Sequence, residues 1–315
     1  MRPALSIVFF TTSSGAGFAL LTLLGLGAPL GLLPPSGGFG FVALGIACLL
    51  AAGGLASSVF HLGRPERSWR AFSQWRSSWL SREGALAVLT FLPTAIFGIG
   101  WVFFGATKGL VGLCGVLSAA LALATIYCTG MIYASLKPIH QWHNQWVVPN
   151  YLALGLMSGC LVLGFLTRLW AERSAGVSLL TLVVVLAAWS MKERYWRLID
   201  TTSARSTVAS AVLFGARGRV RILEAPHTEE NYLLKEMGFR VAREHRMRLR
   251  GIARLAGFAL PALSSFVALL IGGVVGGIMA GFGVASAALG LVVERWLFFA
   301  EAKHTVLLYY GDDAV

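Results

Sequence analysis

The sequence predicts an all-α polytopic membrane protein with eight transmembrane helices, and three observations support this fold class. Of the 315 residues, 57% are hydrophobic and only 13% are charged, whereas about a quarter of the residues in soluble domains are charged. The mean hydropathy is +0.72. Apolar stretches of about 20 residues, enough for a helix to cross the bilayer core, recur along the sequence and alternate with polar segments.

The predicted spans begin or end at breaks in the apolar pattern. Pro34 and Pro35 end the first span, and Lys137 with Pro138 ends the fourth. Residues 255–293 carry no formal charge and are too long for one span, so we predict a turn at Gly281–Gly283. The eight spans are residues 5–33, 38–60, 83–105, 111–136, 147–166, 177–195, 251–279 and 284–308. Their number would allow two four-helix bundles.

The positive charges predict how the spans are oriented. With eight spans both termini share one side, which holds 23 of the 26 Lys and Arg residues and leaves Lys108, Arg168 and Arg173 on the other. Because basic residues concentrate in cytoplasmic loops, we predict a bacterial inner-membrane protein with both termini and the segments 61–83 and 200–250 in the cytoplasm. This topology also explains the net charge of +12, so the charge does not indicate a nucleic-acid partner.

The long polar segment, residues 200–250, contains one predicted surface helix. Thr228 followed by Glu229 and Glu230 is typical of a helix start, and the residues up to Arg250 form a basic amphipathic pattern. Such a helix could bind anionic lipid headgroups or be covered by a partner protein. The sequence leaves both interpretations open.

His61 and Glu83 delimit a polar island between two apolar runs, and they are the candidate catalytic residues. His61 ends the second span and Glu83 opens the third on the same side. An imidazole and a carboxylate at the membrane boundary can exchange protons near neutral pH, as quinone reduction requires. The alternative is that His61 caps a helix end and Glu83 complements a helix N-terminus.

Arginine and aromatic residues alternate between these two positions at spacings of three and four. The arginines are Arg64, Arg67, Arg70 and Arg76, and the aromatic residues are Trp69, Phe72, Trp75 and Trp79. This spacing predicts a short helix in the membrane interface. Such residues anchor many cytoplasmic membrane loops, but a surface this rich in Arg and Trp is also typical of a docking site for an acidic soluble partner.

Two histidines in the next loop on the same side, His140 and His143, are three residues apart. Their spacing would allow haem or metal ligation, but both flank water, so we favour a position at the edge of a quinone pocket or of a partner. The four cysteines are widely spaced and form no CxxC motif. The sequence therefore predicts no metal site in this protein.

Glu294 and Arg295 fall within the last predicted span, near the middle of the membrane. Ionisable residues at that depth usually face the bundle interior. They could form an ion pair that fixes helix packing, which we favour, or mark a proton path. Glu301 and His304 are predicted to lie nearer the cytoplasmic end.

Several of these motifs resemble the membrane-anchor subunit of the dimethyl sulfoxide (DMSO) reductase family. The motifs are His61-Leu62-Gly63-Arg64-Pro65, Trp69-Arg70-Ala71, Trp75-Arg76 and Ser81-Arg82-Glu83. The resemblance implies a subunit without its own haem or metal that exchanges electrons and protons with ubiquinone or menaquinone. It also implies an iron–sulfur partner subunit and a catalytic subunit with a molybdenum bis-guanine-dinucleotide cofactor. The family's functional histidine and glutamate fall on His61 and Glu83.

The predicted orientation sharpens this resemblance. Docking loops on the cytoplasmic side resemble those of the anchor of the cytoplasm-facing sulfite dehydrogenase, which implies sulfite oxidation coupled to quinone reduction. Arg64, Trp69, Trp79, His140 and His143 are then further candidates for the quinone site. The alternatives are a quinol-oxidising anchor of a DMSO-reductase-like enzyme, a secondary transporter with a site near Glu294, and a di-haem cytochrome b.

Overall fold

Eight long apolar helices dominate the computed structural model, which describes residues 3–60, 64–170, 175–202, 206–211, 223 and 245–310. They are α1 (Leu5–Gly27), α2 (Gly37–Val59), α3 (Trp79–Phe104), α4 (Gly109–Ala134), α5 (Val147–Trp170), α6 (Ala175–Thr201), α7 (Arg246–Leu270) and α8 (Gly273–Ala300). Each is long and apolar enough to cross a membrane. The predicted all-α class with eight spans is confirmed.

The helices form two connected groups. Helices α1 to α4 pack against one another, as do α5 to α8. Helices α1 and α4 join the groups through α5, and α1 also contacts α8. Because the eight helices alternate in direction, the odd-numbered helices begin and the even-numbered helices end on one side, which we call the N-terminal face. This face also carries a 3₁₀ helix before α3 (Pro65–Gln74), the loop of residues 135–146 and a C-terminal 3₁₀ turn (Thr305–Leu308).

Close helix contacts depend on glycine. A Cβ atom at Gly25 of α1 would overlap the backbone carbonyl of Gly115 in α4, and one at Gly17 would overlap the backbone of Ala51 in α2. Helix pairs within membranes associate through such small residues because lipid supplies no hydrophobic drive between helices.

The structure corrects the predicted boundaries of the last two spans. The turn between α7 and α8 lies at Ile271–Gly272 instead of Gly281–Gly283. Gly273 adopts a positive φ of 61° at this turn, which glycine allows without steric cost. Gly283 lies inside α8, where a side chain would overlap the Ser264 hydroxyl of α7. The signal taken for a turn was therefore a helix-packing contact.

Other boundaries also differ. Helix α1 ends at Gly27, six residues before the predicted end, and α8 ends at Ala300 instead of 308. Helix α7 begins at Arg246 and contains a π-helical turn at Leu255–Ala259 before Pro261. Most of the predicted amphipathic helix lies outside the described residues.

Ion pairs hold the N-terminal-face ends of α6, α7 and α8 together. Arg250 is 2% exposed and donates to both carboxylate oxygens of Glu301 at 3.0 and 2.9 Å, and to Asp200 at 2.6 Å. Arg254 donates to Glu193 at 2.6 and 3.0 Å. Arg250, predicted to end a surface helix, therefore lies in the core, where bidentate pairing satisfies its charge.

Candidate functional site

Glu83 lies in the second turn of α3 and is almost completely buried, with 3% of its surface exposed. The Thr129 hydroxyl of α4 donates a hydrogen bond to its Oε1 atom and also contacts the Thr125 carbonyl at 3.0 Å. Among the residues that the structure describes, no cation forms an ion pair with Glu83. Its position beyond the first turn argues against a role as a helix-dipole partner, because that effect fades within one turn.

Glu294 is also a buried carboxylate, but unlike Glu83 it lies next to cations. Lys192 of α6 forms an ion pair with its Oε1 atom, and the Nε atom of Arg295 lies 3.5 Å from Oε2. Lys192 also lies 4.0 Å above the Tyr195 ring, and Arg295 lies 3.9 Å above the Tyr151 ring. Two cations therefore compensate this carboxylate, and an aromatic face contacts each cation.

Lys192 was missed as a site residue because it lies near the end of the predicted span 177–195 and was counted only among the positive charges of the cytoplasmic side. Its burial could nevertheless be predicted from helical spacing, since Lys192 continues the buried stripe formed by Thr181, Val185 and Ala188. Glu294 also lies closer to the end of its helix than predicted. It is six residues from the end of α8, or about 9 Å along a helix, because α8 begins and ends earlier than expected.

Aromatic side chains connect Glu83 with this ion-pair cluster. Tyr133 of α4 stacks on Tyr151 of α5 with ring centroids 5.6 Å apart, and Glu83 interacts electrostatically with both tyrosines. Trp142 stacks on Phe298 at 5.6 Å and donates to the Phe298 carbonyl at 2.9 Å. The loop of residues 135–146 thus closes the N-terminal face of the bundle with a buried indole.

A small polar cavity lies between α1, α4, α5 and α8, next to Glu83. Its volume is about 20 Å³, and its wall includes Thr129, Tyr151 and Arg295. A larger apolar groove of about 440 Å³ lies between α2 and α3, towards the opposite side of the membrane, and its lining includes Leu44, Cys48, Phe91, Thr94 and Ile99. The cavity can hold one water molecule, whereas the groove has room for an apolar tail.

The Arg/Trp segment, residues 64–79, is attached to the first turns of α3. Ser81 donates to the Ala71 carbonyl, Arg82 donates to the carbonyls of Trp75 and Arg76 at 2.9 and 2.6 Å, and Phe72 packs beside Gly84. The segment forms a 3₁₀ helix in which no residue is buried. Its contacts with α3 surround Glu83 in sequence, so the exposed segment and the buried carboxyl form one structural unit.

The outer side of this segment presents cations and indoles to solvent. Trp69 is 65% and Trp75 58% exposed, and Arg70 and Arg76 lie over these rings at 5.6 and 5.9 Å. The predicted alternation of Arg and Trp is therefore present on the surface. Trp79 is half-buried against Tyr127, with Arg82 4.2 Å above its ring. His61 lies outside the described residues.

His140 and His143 occupy separate hydrogen-bonding positions. His143 donates from Nδ1 to the Ala134 carbonyl at the end of α4, at 2.7 Å. The Nε2 atom of His140 lies 2.8 Å from the Thr202 hydroxyl after α6. Neither histidine lines the cavity beside Glu83, and their placement near a quinone remains a prediction.

His304 organises the residues after α8. Its Nδ1 atom accepts a hydrogen bond from the Val306 amide at 3.0 Å, and its backbone pairs with Ile139. Burial lowers the pKa of this imidazole, which favours the neutral form that can accept the bond. The C-terminal turn is therefore fixed to the loop of residues 135–146.

No three His, Cys, Asp or Glu side chains in the described part of the protein lie close enough together to hold a metal ion. Cys128 and Cys160 are buried and Cys48 and Cys114 are half-buried, all as free thiols. They pack as small apolar side chains.

Comparison with known proteins decides the family. The family described as DMSO reductase anchor subunit (DmsC) matches residues 4–253. The chain belongs to the DMSO reductase anchor subunit family. This confirms the resemblance seen in the motifs between residues 61 and 83, and it identifies the protein as a multi-pass membrane-anchor subunit.

Two relatives of this anchor subunit have descriptive names. The sequence is 34% identical to the C subunit of sulfite dehydrogenase from Allochromatium vinosum over the full length of both proteins. It is 28% identical to the C chain of anaerobic dimethyl sulfoxide reductase from Escherichia coli over 44% of this protein and 52% of that one. No solved structure matches the sequence significantly.

Proposed function

We propose that this anchor subunit exchanges electrons and protons between an iron–sulfur partner and the quinone pool, with Glu83 handling protons. One observation carries the proposal: Glu83 is a buried carboxyl group without a counter-cation among the described residues, at the turn that holds the exposed Arg/Trp segment. A buried carboxyl without a partner cation is stable when neutral and can release its proton only transiently. Glu294, held between two cations, suits a structural role.

The proton chemistry follows from the quinone reaction. A quinone that gains two electrons takes up two protons at its oxygens, and Glu83, hydrogen-bonded to the Thr129 hydroxyl, would supply one of them from within the protein. His61 would supply a second proton-exchanging group at the same boundary. We propose that Arg64, Trp69, Trp79, His140 and His143 border the site. The 20 Å³ cavity excludes the ring, so the ring would bind on the side of Glu83 away from the cavity.

The Arg/Trp segment would hold the electron donor. Iron–sulfur clusters in one partner would deliver electrons that a molybdenum bis-guanine-dinucleotide cofactor in the catalytic partner removes from its substrate. The exposed cations at Arg64, Arg67, Arg70 and Arg76 suit an acidic partner surface, and Trp69 and Trp75 are suited to hot-spot contacts. Attachment of the segment to α3 would keep the docked donor near Glu83.

Sulfite is the favoured substrate of the catalytic partner. The full-length similarity to a sulfite dehydrogenase subunit supports this assignment, and oxidation of sulfite to sulfate releases the two electrons that one quinone accepts. The charge distribution supports a cytoplasmic N-terminal face in a bacterial inner membrane. The similarity to part of a dimethyl sulfoxide reductase keeps the reverse direction, quinol oxidation, as the second candidate.

Charge reversal on the Arg/Trp segment should separate the anchor from its iron–sulfur partner. We expect the double substitution Arg70→Glu and Arg76→Glu to weaken partner binding by about 10²-fold or more, because like charges across an interface cost several kcal/mol. Affinity purification from native membranes, with the co-purifying iron measured, tests this. Lys108→Glu, an exposed reversal on the opposite face, should leave the yield of iron unchanged. Full retention of iron by the double variant would exclude this surface as the docking site.

A further inference from the structure

The cavity beside Glu83 is lined by hydroxyl groups whose protons already form hydrogen bonds to backbone carbonyls. Thr11 and Thr12 of α1 donate to the carbonyls of Ile7 and Val8, each at 2.9 Å, and Ser158 of α5 donates to Leu154 at 2.8 Å. Their oxygen lone pairs remain as acceptors. A guest in the cavity would therefore meet hydroxyl acceptors on the α1 and α5 walls.

Donors are present on the α5 and α8 walls. Arg295 is 3% exposed and carries guanidinium N–H groups. The Tyr151 hydroxyl is buried without a hydrogen bond of good geometry among the described residues, although Tyr133 is close enough to interact with it. A molecule in the cavity must accept hydrogen bonds from Arg295 or Tyr151 and donate hydrogen bonds to the threonine and serine oxygens, as water does. A metal cation would be repelled by Arg295, and an anion would face the hydroxyl lone pairs.

We propose that this cavity holds an ordered water molecule and that Thr129 connects this water to Glu83, so that Glu83 regains its proton through the cavity. Thr129 both lines the cavity and donates to Glu83. The inference rests on the proposed role of Glu83 at the quinone and adds the route by which its proton is replaced.

The transfer balances as a movement of protons alone. After Glu83 has released its proton, the Thr129 O–H proton passes to the Glu83 carboxylate, and the Thr129 oxygen takes a proton from the cavity water. A proton from the N-terminal face enters the cavity water in the same step, so the water is left neutral. The net change is one proton gained by Glu83 and one taken from the N-terminal face, with no electron transferred.

The cavity is partly exposed at Thr12, on the half of α1 next to the N-terminal face. Thr12 is half-buried and is the eighth residue of α1, about 10 Å from the start of the helix. Glu83 itself is sealed from solvent by burial. A water molecule in the cavity would shorten the part of the path between the N-terminal face and Glu83 that contains no polar group.

Other polar groups around Glu83 do not provide this connection. The Arg82 guanidinium is bound to the carbonyls of Trp75 and Arg76, and Cys128 and Tyr133 interact with Glu83 only electrostatically. Tyr151 reaches the cavity but forms no hydrogen bond with Glu83. Thr129 is therefore the residue among the described ones that contacts both.

Infrared spectroscopy of the purified complex tests the route without a quinone reaction. The carbonyl stretch of protonated Glu83 is identified by its loss in Glu83→Gln. The band shifts when deuterium from D₂O replaces the carboxyl proton. We expect Thr129→Val to slow this exchange by about 10²-fold, the lower range for a positioned proton donor. Thr129→Ser should restore the rate. Thr125→Val is the matched control, since Thr125 is buried one turn earlier and donates to Leu121.

Equal exchange rates in Thr129→Val and the unmodified protein would overturn the route. If Thr129→Val does not assemble, Thr12→Val at the outer wall should slow exchange in the same way, and an unchanged rate there would also overturn it. The proposed function is tested separately, because an active Glu83→Gln variant would refute the role of Glu83 at the quinone while leaving the exchange measurement valid.

Discussion

Replacing Glu83 by glutamine should remove nearly all quinone-coupled turnover while the complex still assembles. Glutamine keeps the size of the side chain and can still pair with Thr129, but it cannot release a proton. Because a positioned proton donor typically contributes 10²–10⁴-fold, we expect a loss of about that size. The measurement is substrate-dependent reduction of a soluble quinone analogue by the purified complex, beside reduction of an artificial acceptor that bypasses the membrane subunit.

The artificial-acceptor rate separates chemistry from assembly. It should remain unchanged in Glu83→Gln, since the catalytic partners would be intact. Thr125→Val is the control, because Thr125 is buried one turn before Thr129 on α4 and donates to the Leu121 carbonyl. Quinone turnover at the unmodified rate in Glu83→Gln would contradict the proposed proton role, and parallel loss of both rates would make Glu83 structural.

Replacing Glu294 by glutamine should destabilise the protein far more than replacing Lys192 by methionine. Glu294→Gln leaves Lys192 and Arg295 as uncompensated buried cations, and breaking a buried pair typically costs about 3–5 kcal/mol. Lys192→Met leaves Glu294 paired with Arg295 and keeps the side-chain volume, so we expect a loss of about 1 kcal/mol or less. Thermal unfolding of the purified complex, with its yield from membranes, measures the difference.

The double variant Lys192→Met with Glu294→Gln provides the control. It leaves one unpaired cation, so its stability should lie between those of the two single variants. Equal losses in both single variants would contradict the account of Glu294 as the shared partner. A stable Glu294→Gln variant that lost quinone turnover would instead support the proton-path interpretation.

The class of fold and the order of the helices could be predicted because hydropathy depends on composition over about 20 residues. The turn between α7 and α8 could not, since glycine serves both turns and close packing. Gly283 and Gly273 are equivalent in a sequence pattern, yet one contacts Ser264 and the other adopts a positive φ. Only the partner helix distinguishes them.

The candidate site was only partly predictable for a similar reason. Glu83 was singled out because it is the last residue of a polar island and opens the third apolar run, and its burial follows from the position of Thr129 on a different helix. Lys192 was grouped with the positive charges of the cytoplasmic side at the end of the predicted span 177–195, although it pairs with a residue 102 positions later in the sequence, Glu294. Pairings of that kind depend on tertiary contacts between α6 and α8, which no local pattern contains.

The central claim is that electrons reach the quinone pool through this anchor, and inverted membrane vesicles test it most directly. Sulfite is added to the exposed cytoplasmic face, and the quinol fraction is then extracted and measured. We predict a sulfite-dependent rise in quinol in vesicles that contain the anchor, and none in vesicles that lack it or carry Glu83→Gln. An equal rise in vesicles without the anchor would contradict the account.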